Sequence, residues 1–166
     1  MKSISDTERR IATAMDMRHE GKHEEALNLL IDLHDGHPND PVVNLQCAWT
    51  HDKLGLGREA VPYYEAALEI GLDGEDLRSA LLGLGSTYRA LGDYEKAHSV
   101  LERGVELFPA DRGILAFFAM ALYNIGRAKP ACEILLGVLT ETTSDPSISQ
   151  YEKAISLYAE DLDRTW

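Results

Sequence analysis

Apolar positions recur every three or four residues through most of the chain, and no stretch alternates strictly between apolar and polar. Leu81, Leu84, Gly85 and Tyr88 fall on one helical stripe, and Tyr94, Ala97, Leu101 and Gly104 on another. Runs of β-branched residues are absent. The pattern predicts an all-α chain, with helices over about 5–20, 23–35, 41–54, 57–70, 75–91, 94–107, 111–125, 128–142 and 146–163.

The helices come in pairs, because the pattern repeats. A glycine stands at Gly21, Gly55, Gly92 and Gly126, spaced by 34, 37 and 34 residues. Five residues after each stands an alanine: Ala26, Ala60, Ala97, Ala131. Seven residues before each stands another small residue: Ala14, Ala48, Gly85, Ala119. Nine after each stands a large one: Leu30, Tyr64, Leu101, Leu135. The glycine suits a helix that must stop and reverse. The small residues suit close helix crossings, and the large ones fill the space between hairpins. One copy is three residues longer, and the extra residues fall in Gly71–Asp76, where they are expected to kink the array. Pro38, Pro41 and Pro109 mark ends of second helices. Pro62 and Pro130 are expected in the first turn or so of second helices, where a missing N–H costs little.

The stretch Leu81–Ala97, LLGLGSTYRALGDYEKA, followed by Phe108-Pro109, resembles a near-consensus tetratricopeptide repeat. The other copies depart from it, with Ala48 for the usual glycine and Leu72 and Thr143 for the usual proline. Ala48–Leu56 and Gly74–Arg78 also resemble segments of a small group of stand-alone bacterial proteins of this family, often called group 5. The resemblance implies one domain over 1–166: a right-handed α-α superhelix of four hairpins, about 7–40, 41–74, 78–111 and 112–145. A capping helix over about 146–164 is expected to close it with an apolar face of Ile148, Tyr151, Ala154, Ile155, Tyr158 and Leu162.

In this family the first helix of each pair lines the concave side. The resemblance therefore places Ile11, Met15, Leu45, Trp49, Lys53, Leu82, Arg89, Phe117, Met120 and Tyr123 in a partner-binding groove, with Arg18 beside them. Trp49 and Tyr123 are amphipathic anchors, and Met15 and Met120 adapt to irregular surfaces. The clamp by which some relatives hold a C-terminal carboxylate needs Lys, Asn and Arg at set places. Here Ile11, Met15, Gln46, Ser86 and Arg89 stand there, and the clamp is not matched. The implied function is an interaction module for a protein or peptide with apolar anchors and basic flanks. The alternative is a homo-oligomer, such as a homodimer, that buries the same groove, and plain packing of the groove residues on one another stays open beside both.

Composition narrows the partners. The 166 residues carry a formal net charge of −12, which disfavours nucleic acid and anionic membrane surfaces. Residues 1–6 lack the apolar core of a signal peptide, no run is long enough to span a bilayer, and a cytoplasmic location is expected. Cys47 and Cys132, both in apolar helical patterns, fit a reducing compartment. No enzyme activity and no cofactor is expected. His34 and His37 lack further ligands nearby, so no metal site is expected. His51 is expected to be packed, and His19, His23 and His98 to lie at the surface or edges. The glycines of residues 54–57 and 82–87 are assigned to turns and helix packing, since no strand precedes them and no phosphate-loop lysine follows.

Overall fold

A computed structural model describes residues 5–165. They form helices α1 (Asp6–His19), α2 (His23–Gly36), α3 (Pro41–Lys53), α4 (Gly57–Ile70), α5 (Gly74–Leu91), α6 (Tyr94–Leu107), α7 (Arg112–Asn124), α8 (Ala128–Thr142), α9 (Pro146–Ser149) and α10 (Glu152–Glu160). Among the described residues there is no strand. Residues 1–4, part of the stretch read for a signal peptide, lie outside them.

Helix starts follow two rules. Several first helices are capped by a side chain. Ser5 and Glu8 form a capping box on α1, Asp40 accepts from the Val42 and Val43 N–H groups at α3, and Asp111 accepts from Ile114 N–H at α7. The second helices α2, α4, α6 and α8 have no side-chain cap, because a tight turn delivers the chain directly. That turn is built on the recurrent glycine, with φ of 81°, 74°, 85° and 81° at Gly21, Gly55, Gly92 and Gly126. At the first turn Lys22 N–H reaches Met17 C=O at 2.9 Å and Gly21 N–H reaches Arg18 C=O at 3.1 Å. The same pair of bonds closes the turns at Gly55 and Gly126. This satisfies carbonyls that a helix end otherwise leaves unpaired.

Three expectations gain detail in the structure. The three-residue insertion lengthens a helix at the expected Gly71–Asp76 stretch. The linker before α5 is Gly71–Asp73, and α5 runs for 18 residues, about one turn longer than α1, α3 and α7 and within one residue of the expected 75–91. Gly71 and Gly74, at φ 120° and 50°, let the chain enter that extra turn. Pro62 is the sixth residue of α4 and so lies in its second turn, whereas Pro130 is the third of α8. The C-terminal helix is broken: α9 ends at Ser149 and α10 restarts at Glu152. The break resets the helical phase, so the stripe expected to run through both pieces is not continuous. Tyr151, Ala154, Tyr158 and Leu162 are exposed, while Ile155, Ser156, Leu157 and Ala159 are half-buried. The C-terminal segment is fastened to the start of α8 by Lys129, 2.6 Å from Asp161 and 2.8 Å from Asp163, and by Leu162 N–H donating to Glu133 at 3.0 Å.

The chain forms two compact units, Met1–Leu91 and Gly92–Trp166, divided inside the third hairpin. The core of the first includes Ala14, Ala26, Leu30, Leu33, Val43 and Cys47, packed by Met17, Ile31 and Tyr63. The second has a smaller cluster of Ala119, Leu122 and Ala131, with Phe118, Ile125 and Ile134 against it.

Candidate functional site

In the first unit the first helices are α1, α3 and α5, and α3 contacts both of the others. Three residues before each turn glycine stand Arg18, Asp52 and Arg89. Six before stand Met15, Trp49 and Ser86, and ten before stand Ile11, Leu45 and Leu82. These columns are the candidate face.

Arg18 is its most elaborated residue. Its guanidinium donates from Nη2 to Gln46 Oε1 at 2.8 Å and from Nη1 to Thr50 Oγ1 at 3.2 Å. Its Cζ lies 5.6 Å from the centroid of the Trp49 ring, a cation–π contact. Gln46 and Thr50 are buried, and Thr50 is oriented by donating back to Gln46 C=O at 2.8 Å. Burial lowers the Arg18 pKa from its ordinary value, and the group remains charged.

Asp52 accepts from Tyr64 Oη at 2.7 Å and from Thr87 Oγ1 at 2.9 Å, which ties α3 to α4 and α5. Burial, followed by the Asp52 charge, pushes the Tyr64 phenol far up, so it stays a donor. Gly83 makes room for this bond: a Cβ there would lie 2.5 Å from Tyr64 Oη. Beside it an open cleft is lined by Asp52, Gly57, Ser86, Thr87 and Ala90. Arg89 has a buried Nε with no hydrogen-bond partner among the described residues.

Ile11, Met15, Trp49, Leu82 and Arg89 are each partly exposed on this unit, and Lys53 is exposed. Leu45 is fully covered and presents no surface. The reason is the position of α3, whose neighbours α1, α2, α4 and α5 leave little of it to solvent. In the second unit Phe117 and Met120 of α7 are half-buried, and Tyr123 is 68% exposed.

A family model described as Tetratrico peptide repeat matches residues 41–162. The chain belongs to the tetratricopeptide repeat family. Solved structures of the same α-α superhelical fold are similar to it. MamA from Desulfovibrio magneticus RS-1, residues 41 to the end, is 19% identical with a TM-score of 0.76, covering 96% of this chain and 89% of that one. YrrB, described as a TPR protein with an unusual peptide-binding site, is 21% identical with a TM-score of 0.73, covering 96% and 79%. MamA of AMB-1 is 16% identical with a TM-score of 0.71, covering 87% and 78%. No curated protein matches. The tetratricopeptide fold is in general a non-catalytic scaffold for protein interaction.

Several histidines of this tetratricopeptide chain contact neighbouring side chains or carbonyls. His51 is buried, donates from Nδ1 to Cys47 C=O at 2.8 Å, and stacks on Tyr63 at 5.1 Å. His34 meets the same Tyr63 edge-on at 5.2 Å, while His37 lies 3.4 Å from Thr7 Oγ1. Among the described residues no three His, Cys, Asp or Glu gather as a metal set. No described helix is long and apolar enough to cross a membrane. His98 is half-buried, as expected of an edge residue, with its ring 5.2 Å from that of Phe118. Cys47 is buried, and burial pushes its thiol up to about 12. Cys132 is exposed, because the outer stripe of α8 that carries it has no helix over it.

Sequence reasoning found the face but missed its polar framework. The Asp52–Tyr64–Thr87 network joins three helices across 35 residues. Its one advance signal was Gly83, a glycine in a helix interior with no turn to explain it.

Proposed function

We propose that this chain is a protein-interaction module whose first-helix face binds a peptide segment through apolar anchors. On the first unit the anchor site is Trp49, with Ile11, Met15 and Leu82 in neighbouring columns and Lys53 and Arg89 at its polar edge. On the second unit Phe117, Met120 and Tyr123 present an equivalent face of α7. The observation that carries the reading is Trp49. It is a large ring left partly open on a helix whose residues are mostly buried, and the Arg18 guanidinium lies over its face. Rigid, amphipathic rings set in this way are the usual anchors of binding surfaces.

Selection of short peptides from a random displayed library against the whole chain tests this. Peptides retained by the native protein should be lost on Trp49→Ala, with the helical signal by circular dichroism unchanged. Equal retention by the variant would remove Trp49 from the binding role. The exposed Tyr123 also serves a second reading, a homo-oligomer that buries this face. Light scattering over a wide concentration range separates the two, since a monomer throughout leaves no room for the oligomer.

A further inference from the structure

Leu135 is 42% exposed, Tyr151 58%, and Leu139, Tyr158 and Leu162 37% each, all within α8 and the C-terminal segment of the second unit. Helical phase gathers them. On α8, Ala131 and Ile134 pack toward α7, while Glu133, Gly137 and Thr140 border the cleft toward α10. Cys132, Leu135 and Leu139 share the stripe left between those two faces, and all three are exposed. α10 runs antiparallel to α8, since Lys129 at the start of one meets Asp161 just past the end of the other. It turns Glu152, Ser156 and Glu160 to the cleft on the far side of the pair. The same helical phase brings Tyr151, Tyr158 and Leu162 round to the side on which Cys132, Leu135 and Leu139 lie. Leu136 and Ile155, between the two stripes, are half-buried. One side of the α8–α10 pair is therefore acidic, around Glu133, Glu141, Glu152 and Glu160, and the other is built of uncharged residues.

We propose that this uncharged side is where two copies of the chain pair, α8 and α10 of one against α8 and α10 of the other. The first-helix face of the reading above takes no part in it. Area favours a second copy as the occupant. The exposed fractions leave roughly 400 Å² of apolar surface on each copy, as much as the largest patch of an ordinary monomer. Pairing two, with their rims, removes about 1,000 Å² from water, the size at which specific interfaces begin. Charge favours the same surface. Each copy carries −12, so repulsion between copies is least where the facing stripes hold no acid. The alternative of laying α1 of one copy on α8 of the next is disfavoured. Arg9 and Thr13 of α1, both exposed, stand at the columns where α3 has Val43 and Cys47 clustered with Leu30. Burying two polar residues there without partners would cost free energy that an apolar pair does not.

Analytical ultracentrifugation of the chain from micromolar to near-millimolar concentration tests this. The mass should rise from monomer to dimer and stop there, since a two-fold pairing closes. Added sulfate should strengthen the dimer, because it screens the repulsion between two acidic chains and favours apolar burial. Leu135→Glu should weaken the dimer by about tenfold or more in Kd, with the helical signal by circular dichroism unchanged. Tyr151→Glu, at a residue already mostly in water, should do the same without risk to the fold. Trp49→Ala and Tyr123→Ala should leave the dimer as it is. Cys132, open to a thiol reagent in the dilute chain, should react more slowly in the concentrated one. A monomer throughout, or a dimer that survives both Leu135→Glu and Tyr151→Glu, overturns the proposal. So does a dimer lost on Tyr123→Ala, which would put the interface on the first-helix face. A monomer that still retains peptides through Trp49 removes this proposal and leaves the peptide-binding reading standing.

Discussion

Leu30 and Leu135 stand at the same place in their hairpins, nine residues past the turn glycine, yet Leu30 is 1% exposed and Leu135 is 42%. In the first unit, Val43 and Cys47 of the following first helix belong to the same buried cluster as Leu30. Tyr64, at that place in the second hairpin, is covered by α5 and bonded to Asp52. In the second unit the segment after the hairpin is broken at Gln150–Tyr151, and α10 packs on another stripe of α8. Leu135, Leu139 and Cys132 are left outside. A repeat residue is therefore not a core residue by virtue of its column. It becomes one only when the next helix arrives in the right phase.

The sharpest break of that comparison is truncation at the two places. Leu30→Ala should cost about 2–5 kcal/mol in chemical denaturation, as a cavity in a packed cluster. Leu135→Ala should cost under about 1 kcal/mol, since part of its surface is already in water. Equal losses would mean that the α8 stripe is covered in solution.

Two helix-interior glycines offer the next contrast. Gly83→Ala should destabilise by about 1–3 kcal/mol, because its Cβ would meet a phenol that Asp52 holds in place. Gly137→Ala, in α8, has open space and should stabilise by about 0.5–1 kcal/mol. Thermal melts of both variants decide it.

The thiols divide in the same way. A thiol reagent at neutral pH should label Cys132 in the folded chain at once, and Cys47 only on unfolding, because Cys47 is buried with its pKa raised to about 12. Mass spectrometry of digested, labelled protein assigns each site.

The smallest effect concerns the C-terminal segment. The Asp161 carboxyl is held below its ordinary value by Lys129 and by the Asp163 N–H. A depressed folded pKa gives stability that is present above the unfolded value and lost as pH falls through the folded one. Exchange of the α10 amides, followed by mass spectrometry, should quicken below the ordinary carboxylate range. Lys129→Ala should remove that pH dependence. A flat profile in the native chain would show that Lys129 does not fasten the segment.

All four turn glycines and most of both helices in every hairpin were legible in the residues. Positive φ at a helix end is a local demand, and glycine meets it whatever packs nearby. The alanine and small-residue columns were legible for a related reason, since close helix crossing admits few side chains. Trp49 and Arg18 were legible as residues of one face, but their contact was not. The cation–π pair needs a rotamer that Gln46 and Thr50 enforce from a neighbouring helix. The Asp52 network joins α3, α4 and α5, so no window of sequence contains it. The burial of Leu45 and the exposure of Leu135 lay equally beyond the pattern. Periodicity states which residues share a stripe, while the number of helices packed on that stripe is set by the tertiary structure. Sequence by itself determined where this chain turns and which residues repeat, because those are properties of one helix or one turn. Only the tertiary structure decided which repeats are covered and which polar groups meet, because burial and hydrogen bonding between helices belong to groups far apart along the chain.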